Sequence, residues 1–224
     1  MSRTGQLLQE MYDAMLERFG HQEWWPGETP LEVCVGAILT QNTNWRNVEK
    51  AIENLRGADM LQLRALVEIP PERLAELIKP AGYFRRKAGR LQNFCRAVWD
   101  SWGEDLTGFL DRPVYDLRED LIRVRGIGAE TADSIILYAA KKPTFVVDTY
   151  TARILGRHEL IYPEDGYMEI KEVFEGNLPE DIDLYNDYHA QLVMVGKTYC
   201  RPGNPKCQQC PLNRFPHDTE IGMR

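Results

Sequence analysis

The chain has 224 residues, with 27 Lys and Arg against 34 Asp and Glu, a formal net charge of −7 and a pI near 5.2. Hydrophobic residues make up 43% and charged residues 27%, the balance of an ordinary globular protein, and no stretch approaches the ~20 apolar residues that span a bilayer. Five cysteines, three of them clustered near the C-terminus, speak for metal ligation in a reducing compartment rather than a disulfide scaffold. The N-terminus shows no basic-then-apolar pattern, so the expectation is a cytoplasmic protein without a membrane partner.

In chain order the periodicity is helical nearly throughout. Leu7, Leu8, Met11, Met15 and Phe19 form one apolar stripe, and Trp24-Trp25-Pro26 breaks it. Val33, Ala37 and Ile38 form a second stripe that runs into Thr40-Gln41-Asn42-Thr43 with Trp45 just beyond; Val48, Ile52 and Leu55 form a third. Leu91, Phe94, Val98 and Trp102 form another, overlapping a basic run of Arg85, Arg86, Lys87, Arg90 and Arg96 that contains no acid. Prolines punctuate the helices, and alternation of the strand type is nearly absent, so the fold class is all-α. The acidic residues gather elsewhere, at Glu104 to Asp120 and Glu175 to Asp187, so the negative total charge does not preclude a local basic surface.

The densest information lies between Leu121 and Tyr150. Gly126 and Gly128 bracket Ile127, and apolar residues at helical spacing lie on both sides (Leu121, Ile122, Val124, then Ala132, Ile135, Ile136, Ala139). The pattern predicts helix, hairpin, helix, with backbone N–H groups at the mouth of a helix starting near Ala129, a place suited to a phosphate. Arg123 and Arg125 stand just before the glycines. Asp148 opens the next amphipathic stretch (Thr149, Ala152, Ile154, Leu155), where the ordinary role of an Asp is to cap the helix. Near the C-terminus the spacing is Cys200-x6-Cys207-x2-Cys210, whereas Cys34 and Cys95 sit on apolar stripes and read as inert core residues. His21, His158 and His189 have no ligand spacing and receive no role, and Tyr83 and Phe84 read as structural.

The hairpin followed by Val147-Asp148-Thr149 resembles the helix-hairpin-helix DNA glycosylase superfamily in its endonuclease III branch, over nearly the whole chain. Gly36-Ala37-Ile38-Leu39-Thr40-Gln41-Asn42-Thr43 is similar to that family's Leu-x-x-Gln-Thr/Asn element, whose Gln lies near the gap left by an extruded base. Trp24-Trp25-Pro26 together with Trp45 resembles the 3-methyladenine glycosylase III-like subgroup. The resemblance implies two helical lobes. Residues 25–140 would form a central helical barrel with the hairpin motif near 117–140; residues 1–24 and 141–224 would form the second lobe, including the cysteine loop at 200–217. The implied partner is double-stranded DNA holding a damaged base, bound by a monomer in the cleft between the lobes.

The same resemblance assigns roles. Arg125, Gly126, Ile127 and Gly128 would hold the DNA backbone. Gln41, Asn42, Trp45, Trp24, Trp25 and Glu130 would lie at the base pocket or the vacated stack, and the target nucleotide must leave the duplex to be reached. Asp148 would stabilise the oxocarbenium-like sugar and orient or deprotonate the attacking water. Relatives that also cut the strand carry a Lys two residues after the second hairpin glycine, where this chain has Glu130. A carboxylate forms no imine, so the expectation is a monofunctional glycosylase. An aromatic slot would select an alkylated, cationic purine such as 3-methyladenine by stacking and cation–π attraction. The alternatives are an endonuclease III-like enzyme for another lesion or mismatch, a non-catalytic DNA-binding module, and a bifunctional enzyme with an unexpected amine.

The cysteine loop resembles the family's iron–sulfur loop, but the fourth cysteine position falls on Pro216. His217 is adjacent, so Cys200, Cys207, Cys210 and His217 are the candidate ligands. A [4Fe–4S] cluster, a Cys₃His zinc site and a site without metal all remain open.

Overall fold

The structure, a computed structural model, describes residues 2–220. Among these residues the regular structure is helical throughout, without a strand. The principal helices are α1 (Arg3–Phe19), α2 (Pro30–Leu39), α3 (Trp45–Gly57), α4 (Leu63–Glu68), α5 (Pro71–Leu77) and α6 (Phe84–Trp102). They are followed by α7 (Leu106–Leu110), α8 (Val114–Arg123), α9 (Ala129–Ser134), α10 (Thr149–Arg157), α11 (Tyr167–Glu175) and α12 (Ile182–Thr198). The chain divides into two compact units, one of Trp25–Lys142 and one of Met1–Trp24 with Pro143–Arg224.

The core of the Trp25–Lys142 unit is built around α2. Its sequence, Pro-Leu-Glu-Val-Cys-Val-Gly-Ala-Ile-Leu, is apolar on nearly every face, and every residue from Leu31 to Leu39 is buried. This differs from the single stripe read from the sequence: a helix surrounded by others has no solvent face to mark. Pro30 fits the first helical position, and Thr29 caps the helix by accepting from Glu32 N at 3.2 Å. Helices α3, α6 and α9 pack around α2, and α9 runs into a π-turn at Ile135–Ala139 whose residues are all buried. At the far end of α2 the Lys87 ammonium donates to Leu39 O and Ala81 O, both at 2.8 Å. It satisfies carbonyls that the helix end leaves open, and burial pushes its pKa down to about 8.

In the other unit α12 packs along α10 and α1. Tyr12 stacks on Tyr188 at 5.3 Å, and the Tyr12 hydroxyl donates to Asp187 Oδ2 at 2.9 Å. Phe145 stacks nearly parallel on Phe174, with ring centroids 3.7 Å apart. The segment before α10 is extended and buried from Thr144 to Val147 without a ladder partner. Its Phe145 N–H is satisfied instead by the Glu175 carboxylate of α11 at 2.7 Å.

Candidate functional site

In the Trp25–Lys142 unit, Val124 and Ile127 are both buried and anchor the turn between α8 and α9, and Ile127 N donates to Val124 O at 3.0 Å. Gly126 has φ +100°, and a Cβ there would lie 2.4 Å from Arg90 Cγ, so both conformation and space demand glycine. Gly128 precedes α9 and makes no side-chain cap hydrogen bond. Arg125 is exposed while its carbonyl accepts from Asn93 Nδ2 at 2.9 Å, so the backbone is held and the guanidinium is presented to solvent.

Gln41 is knitted onto this hairpin. Its Nε2 donates to Thr131 Oγ1 at 2.7 Å, and its Oε1 accepts from Arg90. Asn42 beside it is exposed, with φ +53°. The basic run on α6 is not one solvated face: Arg85, Arg86 and Arg96 are exposed, Arg90 is engaged by Gln41, and Lys87 lies in the core. Tyr83, read from sequence as structural, is 68% exposed and adopts a left-handed conformation at the head of α6. Its neighbour Phe84 is half-buried.

Two of the three candidate pocket tryptophans come together. Trp25 stacks on buried Tyr138 at 5.1 Å and meets Trp45 edge-on at 5.0 Å, and it packs over Gly36, whose missing Cβ would lie 3.1 Å from the indole nitrogen. Trp45 Nε1 donates to Glu49 Oε1 at 2.7 Å. The groove beside Trp45 is lined by Pro26, Glu28, Glu32, Glu53 and Arg56, an acidic surrounding. Trp24 falls in the other unit, where the Lys197 ammonium stands over its ring at 5.7 Å. Glu130 is exposed in the first turn of α9.

In the second unit Asp148 caps α10. Its Oδ1 accepts from Thr151 N at 2.7 Å and from Thr151 Oγ1 at 2.9 Å. Its Oδ2 lies 3.7 Å from Nε2 of His189, a buried residue of α12. Burial alone would raise the carboxyl pKa; the His189 imidazole and the Thr151 donors outweigh it and hold the group below the usual carboxylate range. Sequence reading gave His189 no role, since no local spacing links it to Asp148. The signal lies in the packing of α12 on α10.

Cys200, Cys207, Cys210 and His217 line one small cavity of about 20 Å³. Burial and then the neighbouring Cys200 and Cys207 push the Cys210 thiol up to about 11. Arg157 donates to Cys200 Sγ at 3.1 Å. His217 Nδ1 is 2.8 Å from Phe215 O, and because a carbonyl only accepts, the neutral ring keeps its lone pair on Nε2. Among the described residues no group of three or more His, Cys, Asp or Glu side chains is arranged to hold a single metal ion. Donors to a cubane sit one per iron and ring a cavity instead of converging on a point. The donor set is of the type that would hold a [4Fe–4S] cluster or a Cys₃His zinc ion. Cys34 and Cys95 are fully buried, and burial drives the Cys95 thiol up to about 12.

An all-helical chain whose glycine hairpin is anchored by an apolar residue and flanked by an exposed arginine belongs to the helix-hairpin-helix class. The sequence profile of the HhH-GPD superfamily base excision DNA repair proteins matches residues 35–180, and the chain belongs to that superfamily. It is 43% identical over 211 residues to a Methanocaldococcus jannaschii protein provisionally named a DNA repair glycosylase, covering 94% of this chain and 96% of the relative. Endonuclease III of Thermotoga maritima is 31% identical over 211 residues, 92% of this chain and 90% of the relative. Among solved structures, the H. pylori 3-methyladenine DNA glycosylase bound to 1,N6-ethenoadenine superposes with a TM-score of 0.73 at 28% identity, covering 87% of this chain and 97% of that one. A non-covalent endonuclease III–DNA complex superposes with a TM-score of 0.81 at 21% identity over 98% of both chains, a likeness of fold.

Proposed function

We propose that this base excision repair glycosylase is monofunctional and releases an alkylated purine from duplex DNA by hydrolysis at Asp148. The observation that carries the reading is a nearly buried carboxylate at Asp148, held below the usual carboxylate pKa range, in a chain that has Glu130 where strand-cutting relatives have an amine. The carboxylate stabilises positive charge at C1′ and takes the proton of the attacking water, while Glu130 offers no route to an imine. Arg125 and the Gly126-Ile127-Gly128 turn bind the DNA backbone, and Gln41 and Asn42 fill the stack beside the extruded nucleotide. Trp25 and Trp45 receive the base; the acidic groove beside Trp45 favours a cationic one. The similarity to the H. pylori 3-methyladenine enzyme supports this substrate class.

The cysteine cavity holds a [4Fe–4S] cluster on Cys200, Cys207, Cys210 and His217 in this reading, a structural cross-link of the C-terminal loop. Iron and acid-labile sulfide in the purified protein, with visible charge-transfer absorption, test it; zinc in their place points to a Cys₃His site instead. The function is tested by release of free base from methylated DNA and from a panel of defined lesion duplexes, each with and without subsequent alkali. Free 3-methyladenine with strand breaks only after alkali is the expected result. Breaks without alkali, or a borohydride-trapped adduct on an abasic duplex, would reveal a lyase amine. Release of a different base would move the substrate class.

A further inference from the structure

Asp148 is held in an unusual way for a helix cap. Both of its cap bonds, from Thr151 N and Thr151 Oγ1, use Oδ1. A carboxylate serving only as a cap leaves its second oxygen to water, whereas Oδ2 here is turned towards His189 Nε2 at 3.7 Å, with the two side chains only 12% and 7% exposed. The helix that carries His189 is brought close by a specific device. Gly196 lies two turns further along the same face of α12, and a Cβ there would sit 2.3 Å from Tyr150 Cδ1 and 2.7 Å from Tyr150 Cβ. Only glycine lets α12 approach α10 this closely, and that approach sets the distance between His189 and Asp148. Of the other charged groups on these helices, Lys197 of α12 is electrostatically coupled to Asp148, and Arg153 of α10 is turned to the Cys200 carbonyl at 2.8 Å. Thr151 contributes donors without charge.

We propose that His189 is the positioning residue for Asp148: its imidazole holds Oδ2, while Thr151 holds Oδ1, in the orientation from which the carboxylate acts on the sugar and the water. The proposal rests on the reading of Asp148 as the catalytic carboxylate. His189 touches neither substrate nor reacting atoms; its effect passes through the carboxylate it faces. Removing it withdraws the partner that offsets burial, so protonation of Asp148 becomes easier and the acid limb of the rate moves to higher pH.

The test is single-turnover base release across pH, on whichever lesion duplex the wild type processes, for the wild type, H189A, H189Q and D148N, together with a ¹³C NMR titration of the Asp148 carboxyl. H189A should slow release by about 10-fold or more with duplex affinity kept within about 2-fold. In H189A and H189Q alike, the acid limb and the carboxyl titration should move upward. H189Q keeps an N–H donor but not the imidazole ring, so it should regain part of the rate but not the limb. An acid limb and carboxyl titration unchanged in H189Q overturn the proposal, and this variant decides alone if H189A does not fold. Base release that survives D148N overturns the assignment of Asp148 instead, and the carboxyl titration still decides whether His189 holds it.

Discussion

At the hairpin the group offered to solvent is the Arg125 guanidinium, and the geometry is fixed by a glycine φ of +100° and by buried Ile127. At Asp148 the group on offer is a carboxylate almost withdrawn from water, and its state is fixed by two hydroxyl and amide donors and an imidazole. The first arrangement suits sequence-independent contact with phosphates. The second gains its chemistry from low solvation, which makes it sensitive to every neighbouring charge. In the proposed function, binding and chemistry are carried by different physics in different units of the chain.

That contrast can be broken from either side. The largest effect is expected from Asp148→Asn, which keeps the cap but removes the charge. Single-turnover base release should fall by about 10³-fold, while lesion-duplex affinity stays within a few-fold. Loss of binding on the same scale as loss of rate would erase the separation. Gly126→Ala should act in the opposite sense, through strain at positive φ and the contact with Arg90. A thermal melt should show about 1–3 kcal/mol of destabilisation, and damaged and undamaged duplexes should bind less tightly by the same factor.

The smaller effects sharpen the comparison. Trp45→Ala removes one ring of the Trp25–Trp45 pair and should lower the preference for a cationic lesion over undamaged DNA by about 10-fold, measured as a ratio of affinities in a competition assay. Equal weakening for both duplexes would return Trp45 to a packing role. Arg125→Ala should cost only a few-fold in affinity, alike for all sequences, and should reduce the slope of log K against log salt by about 0.9 if one phosphate contact is lost. A lesion-specific loss would move Arg125 out of the backbone contact.

The parts of the fold legible in the sequence are those that local sterics control. The two hairpin glycines, the apolar anchor between them and the cap at Asp148 are fixed by neighbours within a few residues, and the helices on either side announce themselves by spacing. The stripes failed where burial was complete. Nothing in the apolar run of α2 says that all its faces are covered, and nothing in the basic run of α6 says that Lys87 turns inward to cap α2 while its neighbours face solvent. Tyr83 shows the converse: an aromatic beside Phe84 reads as structural, yet the left-handed turn at the head of α6 leaves it exposed.

By itself, then, the sequence determined an all-helical chain with a glycine hairpin, a capping carboxylate beyond it, a carboxylate at the amine position and three thiols in a terminal loop. Only the tertiary structure decided the surroundings of those groups: His189 against Asp148, Gln41 tied to the hairpin through Thr131 and Arg90, and His217 in the same cavity as the three cysteines. Backbone conformation depends on atoms a few bonds away, which the sequence states directly. Solvation and charge depend on residues tens of positions distant that helix packing brings within a few ångströms, and no local pattern encodes that meeting.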